Sequence, residues 1–595
     1  MPGRRSGWIA RWAERLDRRR GWDKVSRPIG LLALKGIQDK LRQENLYDTD
    51  STRPIAGSIP KSPPEGALTG RTRDGTFNDL EMPGMGSVGT RFGRNVPLAE
   101  TFPDLEDKLL IPDPRVVSRE LLTREEFTPA TTLNLIAAAW IQFEVHDWFS
   151  HGKGDWDHAY RIPLQEGDPW PDNPMRVPRA MKDPTWVDDG TPPTYVSADS
   201  HWWDGSQIYG SDPNFAAAIR TGEGGKLRVG PDGLPPAEIE AHVDLAGVAG
   251  NFWVGLALLH GLFMLEHNAI CDMLRQEYPT WTDDQLFAKA RLVNAALMAK
   301  IHTVEWTPAI IAHPTSQLAM RVDWWGLVGR RAIRRFGRFT RWDMLTGVPG
   351  SKKNHHGVPY TLTEEFTAVY RLHPLIPDDY TFRSPGDDRV VAELPFPDLT
   401  VLHVRERMQQ IGMAGGFYSF GVANPGAIQL HNFPRSLQKF DRADGTTTDL
   451  AAIDVLRIRE RGVPRYNRFR ELFHRNPVRS FEEITPNRQW QEELRRVYGE
   501  VDAVDLMIGM YAEQPPKGFG FSDTAFRVFA LMAPRRLKSD RFFTTDYTPR
   551  MYTQAGLRWI DDNSMVTVLR RHFPELEPAL RGVTNAFTPW NRVRA

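Results

Sequence analysis

Two residues of one short segment, Tyr370 and His373, have the types and the spacing that oxidation chemistry needs. They stand at i and i+3, so one helical turn would place both side chains on the same face. An imidazole can hold a haem iron, and a phenol near the haem edge can pass an oxidising equivalent on to carbon as a tyrosyl radical. With 14 tyrosines and 16 histidines in 595 residues, about 0.4 such pairs are expected by chance, so the spacing needs support from elsewhere in the chain.

A second segment, WIQFEVHDWFSHG, has the polar residues that a cofactor pocket needs. Gln142 and His146 are four positions apart and share a helix face, whereas Asp147 is turned away by about 100°. One helix could therefore serve two sites. The alternative is an amphipathic helix with a capped polar end. His146 and His151 are five positions apart, which is a poor geometry for a shared zinc ion.

The segment around Tyr370, EFTAVYRLHPLIPD, resembles the proximal helix of cyclooxygenases and fatty-acid α-dioxygenases in the animal haem peroxidase superfamily. Three further segments are similar to the same superfamily and follow in the same order: RTRDGTFND at 71–79, SHWWDGSQIYG at 200–210 and DVLRIRERGVPRYNRFRE at 454–471. The resemblance implies a haem peroxidase-like fold that binds haem b through His373. It also implies that His146 and Gln142 act on the distal side, and that Tyr370 carries the radical.

The resemblance also implies a bound Ca²⁺. In the superfamily the aspartate of the His-Asp pair binds calcium, a role that Asp147 matches. The loop at 200–210 has Ser200, Trp202, Asp204 and Ser206 at every second position. In an extended chain these oxygens can face one ion, with Trp202 offering its backbone carbonyl. Without Asp147, an Asp-Gly turn between packed tryptophans is the simpler interpretation.

Two more segments resemble the α-dioxygenase branch. KIHTVEWTPAI at 300–310 and LKSDRFFTTDY at 537–547 are similar to the segments that hold a fatty-acid carboxylate. The implied residues are His302, Thr307 and Arg541, with Arg535 and Arg536 as alternatives for the arginine. A carboxylate drawn into an apolar channel needs a cation and hydrogen bonds to offset its desolvation. The alternative is structural: a histidine at a helix end, a Thr-Pro helix start and a surface arginine.

The expected activity is a fatty-acid α-dioxygenase. After activation by a hydroperoxide, the Tyr370 radical takes a hydrogen atom from the α-carbon of a long-chain fatty acid, and O2 adds to give a 2-hydroperoxy acid. The alternatives are a haem peroxidase acting on small donors, a cyclooxygenase-like mid-chain oxygenase, and a catalytically silent haem-binding or lipid-binding protein. Gly250 stands where the family usually has an arginine that polarises bound peroxide, which counts against the peroxidase.

Composition limits the other possibilities. With 41% apolar and 25% charged residues the chain can bury a large core, and its net charge of zero does not favour a nucleic-acid partner. No run approaches 18 apolar residues and no secretory signal opens the chain, so we expect a protein that is neither secreted nor membrane-spanning. The single cysteine, Cys271, excludes an internal disulfide and fits a cytoplasmic location.

Residue composition and periodicity divide the chain into three parts. Residues 1–50 alternate arginines with tryptophan and leucine, which suits either peripheral contact with an anionic membrane or docking on the body through Ile29, Leu31, Leu32, Leu34 and Ile37. Residues 51–105 are rich in glycine and proline and predict an extended wrapping arm. The remainder of the 51–595 catalytic domain is expected to be mainly α with little β-structure.

Helix-start signals precede three segments of the body. The predicted starts are Thr131 or Thr132, Thr282, and Thr361 paired with Glu364 in a capping box. Residues 251–276 and 450–461 have the same helical period.

Overall fold

The computed structural model describes residues 7–55, 59–237, 245, 252–442 and 445–593. Helices account for most of the regular structure, and the strands form three two-stranded sheets in this part of the chain. The largest hydrophobic core contains side chains from Ala13 to Trp590. The predicted fold class, a mainly α single domain with little β-structure, is therefore confirmed for the described residues.

Two helices, α1 (Trp8–Arg20) and α2 (Arg27–Glu44), form the N-terminal part of the protein. They cross closely, because a Cβ atom at Gly36 would lie 2.5 Å from the Cβ of Ala13, a separation that only glycine permits. Leu34 and Ile37 of α2 are buried in the main core. The pair is thus docked on the body of the protein, and a membrane contact through it remains a prediction.

The segment from residue 45 to residue 97 carries turns and isolated bridges, with no helix or strand at its described positions. Arg94 fixes its end against the body. The Nε of Arg94 donates to Glu365 at 2.8 Å, and the two terminal nitrogens donate to the carbonyls of Arg461 and Gly462, both at 2.7 Å. This segment therefore supports the chain just before Tyr370.

The remaining helices and strands divide between the two halves of the chain. Those of the first half are α3 (Glu106–Leu109), α4 (Pro114–Val117), α5 (Leu135–Trp148), β1 (Asp155–Ile162), β2 (Met175–Arg179), α6 (Ser206–Tyr209), α7 (Pro213–Ala218), α8 (Val254–Glu277), α9 (Asp283–Ile301), α10 (Thr307–Ile310), α11 (Pro314–Trp325), α12 (Gly329–Phe336) and α13 (Asp343–Thr346). Two π-helical turns, Ser118–Leu122 and His302–Trp306, lie among them.

Those of the second half are α14 (Glu364–Val369), β3 (Asp379–Arg383), β4 (Val390–Pro395), α15 (Val404–Ile411), α16 (Met413–Val422), α17 (Arg435–Gln438), β5 (Phe440–Asp441), β6 (Thr447–Thr448), α18 (Leu450–Glu460), α19 (Tyr466–Leu472), α20 (Phe481–Ile484), α21 (Arg488–Tyr498), α22 (Leu506–Ala512), α23 (Asp523–Ser539), α24 (Pro549–Asp562), α25 (Met565–His572) and α26 (Glu577–Leu580). Each sheet pairs consecutive strands in antiparallel fashion.

Helix α8 lies at the centre of the fold, packed against α5, α9, α16 and α24. Of the described helices, it alone is long and apolar enough to cross a membrane, with a mean hydropathy of 1.3, but 83% of its apolar stretch is buried inside the protein. Such burial is typical of a core helix, which has to be apolar on every side.

The helix caps agree with one of the three predicted starts. Thr282 and Gln285 form a reciprocal capping box at the start of α9, as predicted. The other two predictions were wrong by two or three residues. Asn134 caps α5 by accepting from the backbone of Ala137, and Thr363 caps α14 by accepting from Phe366. Local capping rules allow several neighbouring polar residues, and packing selects among them.

Candidate functional site

The turn that carries Tyr370 and His373 is not one regular helical turn, contrary to the prediction. Helix α14 ends at Val369, Tyr370 is its C-terminal cap, and His373 starts a short 3₁₀ turn. The reason is local, because in a continued helix Pro374 would lack the N–H for its hydrogen bond and its ring would clash with the carbonyl of Tyr370. The two side chains therefore extend from separate short elements, and tertiary packing fixes their relative position.

His373 has a buried carboxylate behind it. Its Nδ1 lies 2.6 Å from Oδ2 of Asp454 on α18, and the other oxygen of Asp454 accepts from Arg371 at 2.9 Å. Burial alone would raise the pKa of Asp454, but His373 and Arg371 outweigh it, so the pKa lies below its usual range. The carboxylate is thus ionised and orients the imidazole.

The imidazole of His373 fits a haem iron by its donor set. Because Nδ1 faces Asp454, Nε2 is the nitrogen left for a metal, and the side chain is 28% exposed although its partner is fully buried. A ligating histidine commonly has this second contact, which fixes the ring and raises its basicity. The residues present are therefore suited to hold haem through His373.

The phenol of Tyr370 is buried and has no hydrogen-bond partner among the described residues. Its ring meets Trp148 edge-on at 5.4 Å and Phe366 at 4.6 Å between ring centroids. Burial raises the pKa of Tyr370 above its ordinary value. The O–H bond is therefore retained at neutral pH, as hydrogen-atom chemistry requires.

A small cavity lies between Tyr370 and the predicted carboxylate site. Its wall includes His302 and Thr307, as the sequence predicted, together with Thr303, Trp203 and Arg536. Arg541 is not part of this wall. It pairs with Asp546 and donates to the carbonyls of Ala67 at 2.6 Å and Phe77 at 3.3 Å. The geometry favours Arg536 over Arg541 as the cation of the site.

Arg536 is a buried cation that has no acidic residue within ion-pair distance in the described part of the chain. Its Nε and Nη2 atoms have no hydrogen-bond partner. The guanidinium lies over the rings of Trp148 at 3.8 Å and Trp203 at 4.3 Å. Burial raises the pKa of nearby Glu144 to about 8, so Glu144 is protonated at neutral pH and leaves the positive charge available to an anion.

His302 presents a hydrogen-bond donor to the same cavity. Its Nδ1 accepts from the indole nitrogen of Trp140 at 3.2 Å, which leaves the proton on Nε2. Burial, with a contribution from Arg536, lowers the pKa of His302 well below its ordinary value. The imidazole is therefore neutral and donates without adding a second buried charge.

Gln142 and His146 lie on α5, as predicted, and a hydrogen bond holds Gln142 in place. Gln142 Oε1 accepts from the indole nitrogen of Trp253 at 2.8 Å. Nδ1 of buried His146 has no partner among the described residues. Burial and nearby His260 lower the pKa of His146 to about 3, so the ring is neutral at neutral pH. Gly250 lies outside the described residues.

Asp147 points to the other side of α5, where the predicted oxygen cluster is assembled. Its Oδ1 accepts from the backbone N of Ser206 at 2.5 Å and from Oγ at 2.9 Å, whereas Oδ2 is buried without a partner. Ser200 donates to Asp204 at 2.9 Å, and Arg291 lies 3.4 Å from the same carboxylate. Burial, followed by Asp204, raises the pKa of Asp147.

These features suit a cation. Two fully buried carboxylates repel each other, and a single cationic side chain at 3.4 Å does not occupy the unpaired oxygen of Asp147. Trp202 is buried beside them, with its indole nitrogen donating to Met85 at 3.1 Å. Hydroxyl, carboxylate and carbonyl oxygens are the ligands that Ca²⁺ prefers.

Comparison with known proteins identifies the family. The animal haem peroxidase profile matches residues 70–584. The alpha-dioxygenase PIOX of Oryza sativa subsp. japonica is 37% identical over 592 residues, which cover 97% of this chain and 94% of the relative. The chain belongs to the animal haem peroxidase family, in its α-dioxygenase branch.

Solved structures agree with this assignment. The crystal structure of the Oryza sativa fatty acid alpha-dioxygenase superimposes with a TM-score of 0.90 at 36% identity, covering 98% of this chain and 97% of that one. A tyrosine-to-phenylalanine variant of that protein with palmitic acid gives the same TM-score of 0.90 at 36% identity, covering 99% and 98%. The expected α-dioxygenase membership is confirmed.

Three functional candidates of this α-dioxygenase were missed or misassigned from sequence. Asp454 was inside a quoted segment, where one acidic residue in an arginine-rich helix was the available signal. Arg536 was an alternative only, because several arginines lie close together. Glu144 occupies the polar segment WIQFEVHDWFSHG, and nothing in its spacing indicated a buried, protonated carboxyl.

The pair His373 and Asp454 gives a prediction. Replacing Asp454 with asparagine keeps the size but removes the charge that strengthens His373 as a ligand. We expect the haem-loaded variant to retain its Soret band, with the ferric/ferrous reduction potential raised on the order of tens of millivolts. A spectroelectrochemical titration measures this.

The control for this experiment is Asp449→Asn on the same helix. Asp449 caps α18 and pairs with buried Arg115 at 2.7 Å. Asparagine can still cap the helix, but it removes the charge that pairs with Arg115, so the variant should lose stability without a change of potential. Equal potentials for wild type and Asp454→Asn would show that Asp454 does not act on the ligand.

Proposed function

We propose that this protein is a fatty-acid α-dioxygenase that converts long-chain fatty acids and O2 into 2-hydroperoxy acids. One observation carries the proposal: the phenol of Tyr370 and the uncompensated guanidinium of Arg536 line the same small cavity. A carboxylate bound by Arg536 would place the adjacent carbon, not a mid-chain carbon, beside the phenol. The palmitic acid complex of the rice relative supports the substrate class.

Three residues bind the carboxylate in this proposal. Arg536 supplies the charge and two unpaired N–H donors, His302 donates from Nε2, and Thr307 supplies a hydroxyl. Charge-assisted bonds of this kind offset the desolvation of the anion in a buried site. The neutral state of His302 keeps the charge of the complex near zero.

Tyr370 carries out the hydrogen transfers. As a radical it takes one hydrogen atom from C2 of the acid and becomes a phenol again. O2 adds to the C2 radical, and the resulting peroxyl radical recovers a hydrogen atom from Tyr370, which gives the 2-hydroperoxy acid and renews the tyrosyl radical. Haem, which His373 would hold, would supply the first oxidising equivalent after activation by a hydroperoxide. His146 and Gln142 would assist on the distal side of that haem.

The hydrocarbon tail of the fatty acid would lie in a separate groove. An apolar groove between α2, α11 and α23 shares four lining residues with the Tyr370 cavity: Met320, Asp323, Phe529 and Pro534. The groove adjoins the cavity, and its walls include Leu31, Leu34 and Val348. Burying methylene groups there adds about 0.8 kcal/mol each, which favours long-chain acids.

The role of Tyr370 is tested by Tyr370→Phe. The change removes one oxygen atom, so haem binding and the Soret band should persist while palmitate-dependent O2 uptake falls at least about 100-fold. An oxygen electrode measures the rate, and electron paramagnetic resonance should show that the tyrosyl signal is lost.

Tyr380→Phe is the matched control, because Tyr380 is also buried with an unpaired hydroxyl but packs beside Trp253. Its O2 uptake should equal that of wild type. Persistent uptake in the Tyr370 variant would rule out the radical role of Tyr370.

The identity of the carboxylate anchor is tested by a pair of variants. Arg536→Gln removes the cation of the cavity and should raise KM for palmitate about 10–100-fold. Arg541→Gln should leave KM within about twofold, because Arg541 is satisfied by Asp546 and two carbonyls. The opposite pattern of KM values would restore Arg541 as the anchor.

We also propose that Ca²⁺ binds at Asp147, Ser200, Asp204, Ser206 and the carbonyl of Trp202. The unpaired oxygen of Asp147 supports this, as does the repulsion between Asp147 and Asp204. Bound Ca²⁺ would relieve the repulsion and join α5 to the loop at 200–206.

Removal of the metal gives the test of this site. EGTA should lower the thermal midpoint of the haem-loaded protein by about 5 °C or more, and Ca²⁺ should restore it. In Asp204→Asn the effect of EGTA should disappear. A midpoint that does not respond to EGTA in the wild type would argue against the site.

A further inference from the structure

An exposed basic and aromatic surface lies between residues 326 and 344, outside the site already described. It comprises α12 and the turns around it, and we call it the α12 surface. The sequence GLVGRRAIRRFGRFTRWDM contains six arginines and one acidic residue, Asp343. Phe336, Phe339 and Trp342 are 67%, 61% and 58% exposed.

This exposure is unusual for a protein surface in water. Within α12, Ile333 is the one buried side chain, so the helix is held to the body by few apolar contacts. Large aromatic side chains that stay exposed beside cations are typical of membrane interfaces, where rings sit at headgroup depth and arginines meet lipid phosphates.

The α12 surface continues into the groove proposed for the substrate. Leu327 and Met344, at its two ends, line the groove together with Leu32 of α2, and all three are partly exposed. Exposed Ile29 lies one helical turn from Leu32 on the same helix. The α12 surface therefore adjoins the groove, which in turn shares four lining residues with the cavity of Tyr370.

The charge of this surface suits an anionic partner. Arg331, Arg335 and Arg341 are exposed. Arg334 pairs with Asp562 at 3.2 Å while remaining largely exposed, and Arg330 donates to the carbonyl of Asp561 at 2.9 Å. Each arginine close to an anionic bilayer increases the membrane affinity several-fold.

We propose that the α12 surface, with Ile29 and Leu32, seats the protein on an anionic lipid bilayer so that fatty acids enter the groove directly from the membrane. The aromatic rings insert at the interface, the arginines contact lipid phosphates, and the groove mouth opens toward the acyl region. The docking itself stands independently, and only the entry of fatty acid rests on the proposed function.

Vesicle flotation of the full-length, haem-loaded protein tests the docking. We expect binding to vesicles of phosphatidylcholine with about one third phosphatidylglycerol, and weak binding to phosphatidylcholine alone. High salt should lower the binding to anionic vesicles, because the electrostatic part is screened. Equal binding to both vesicle types, or none, would overturn the proposal.

Two sets of variants and one matched control separate the contributions. Phe336→Ser/Phe339→Ser/Trp342→Ser removes the rings, and Arg331→Glu/Arg335→Glu/Arg341→Glu reverses three charges. Each set should lower the vesicle partition coefficient by at least about tenfold. The control changes three exposed arginines on elements that do not pack on α12: Arg389→Glu/Arg488→Glu/Arg581→Glu.

The control should bind vesicles within about twofold of wild type. If it loses as much affinity as the α12 variants, net charge alone explains the binding and the proposed surface is wrong. Preferential binding of the wild type to a short DNA duplex rather than to anionic vesicles would instead assign the surface to nucleic acid and overturn the proposal.

Oxygen uptake tests the substrate route. The α12 variants should oxidise decanoate in solution at the wild-type rate and lose at least about tenfold in rate with palmitate embedded in anionic vesicles. If both rates are unchanged, substrate does not enter through this surface. If wild type oxidises neither acid, the proposed function fails, while flotation still decides the membrane docking.

Discussion

A guanidinium buried without a carboxylate partner is the constraint on which the candidate site depends. Arg536 is enclosed by Trp148 and Trp203, whose rings offset part of its lost hydration. Around it, burial raises the pKa of Glu144 to about 8 and lowers the pKa of His302 well below its ordinary value, and no described acidic side chain lies within ion-pair distance of the guanidinium. An anionic ligand strongly stabilises a buried cation that has no other partner. The one large polar group of a fatty acid is its carboxylate.

Helix α5 carries side chains that face three different regions around Arg536. Trp148 at its end contacts Arg536 and Tyr370, Asp147 faces the oxygen cluster, and His146 with Gln142 faces the distal side. Consecutive positions of a helix are turned by about 100°, so one rigid rod presents neighbouring residues to three environments. A cation on the Asp147 side would therefore hold the other two groups in register.

The reacting tyrosine is held differently. Tyr370 and His373 lie beyond the end of a short helix, where the backbone gives little rigidity, and contacts from distant segments hold them. Asp454 fixes the imidazole from α18, and Arg94 braces the preceding helix through Glu365. The redox pair is thus built on loops that two separate parts of the chain hold in place, which is common for catalytic residues.

The sequence by itself determined the family and the helical class, because the motifs that resemble the family and the helical periodicity are local. The roles of Tyr370, His373, His302, Thr307 and the oxygen cluster with Asp147 rest on the resemblance of their segments to the family, and they stay predictions. The capping box of Thr282 is equally local. The exact starts of α5 and α14 were not determined, because neighbouring polar residues satisfy the same capping rule.

Only the tertiary structure separates Arg536 from Arg541, which are five residues apart. Helix α23 ends at Ser539, so Arg536 projects from the helix into the cavity, whereas Arg541 follows the helix end and is taken up by backbone carbonyls. Asp454 and the α12 surface were hidden for the same reason. Asp454 acts through a contact with a residue about 80 positions away in the sequence. The α12 surface depends on which side chains the fold leaves exposed. Local spacing in the sequence shows neither property.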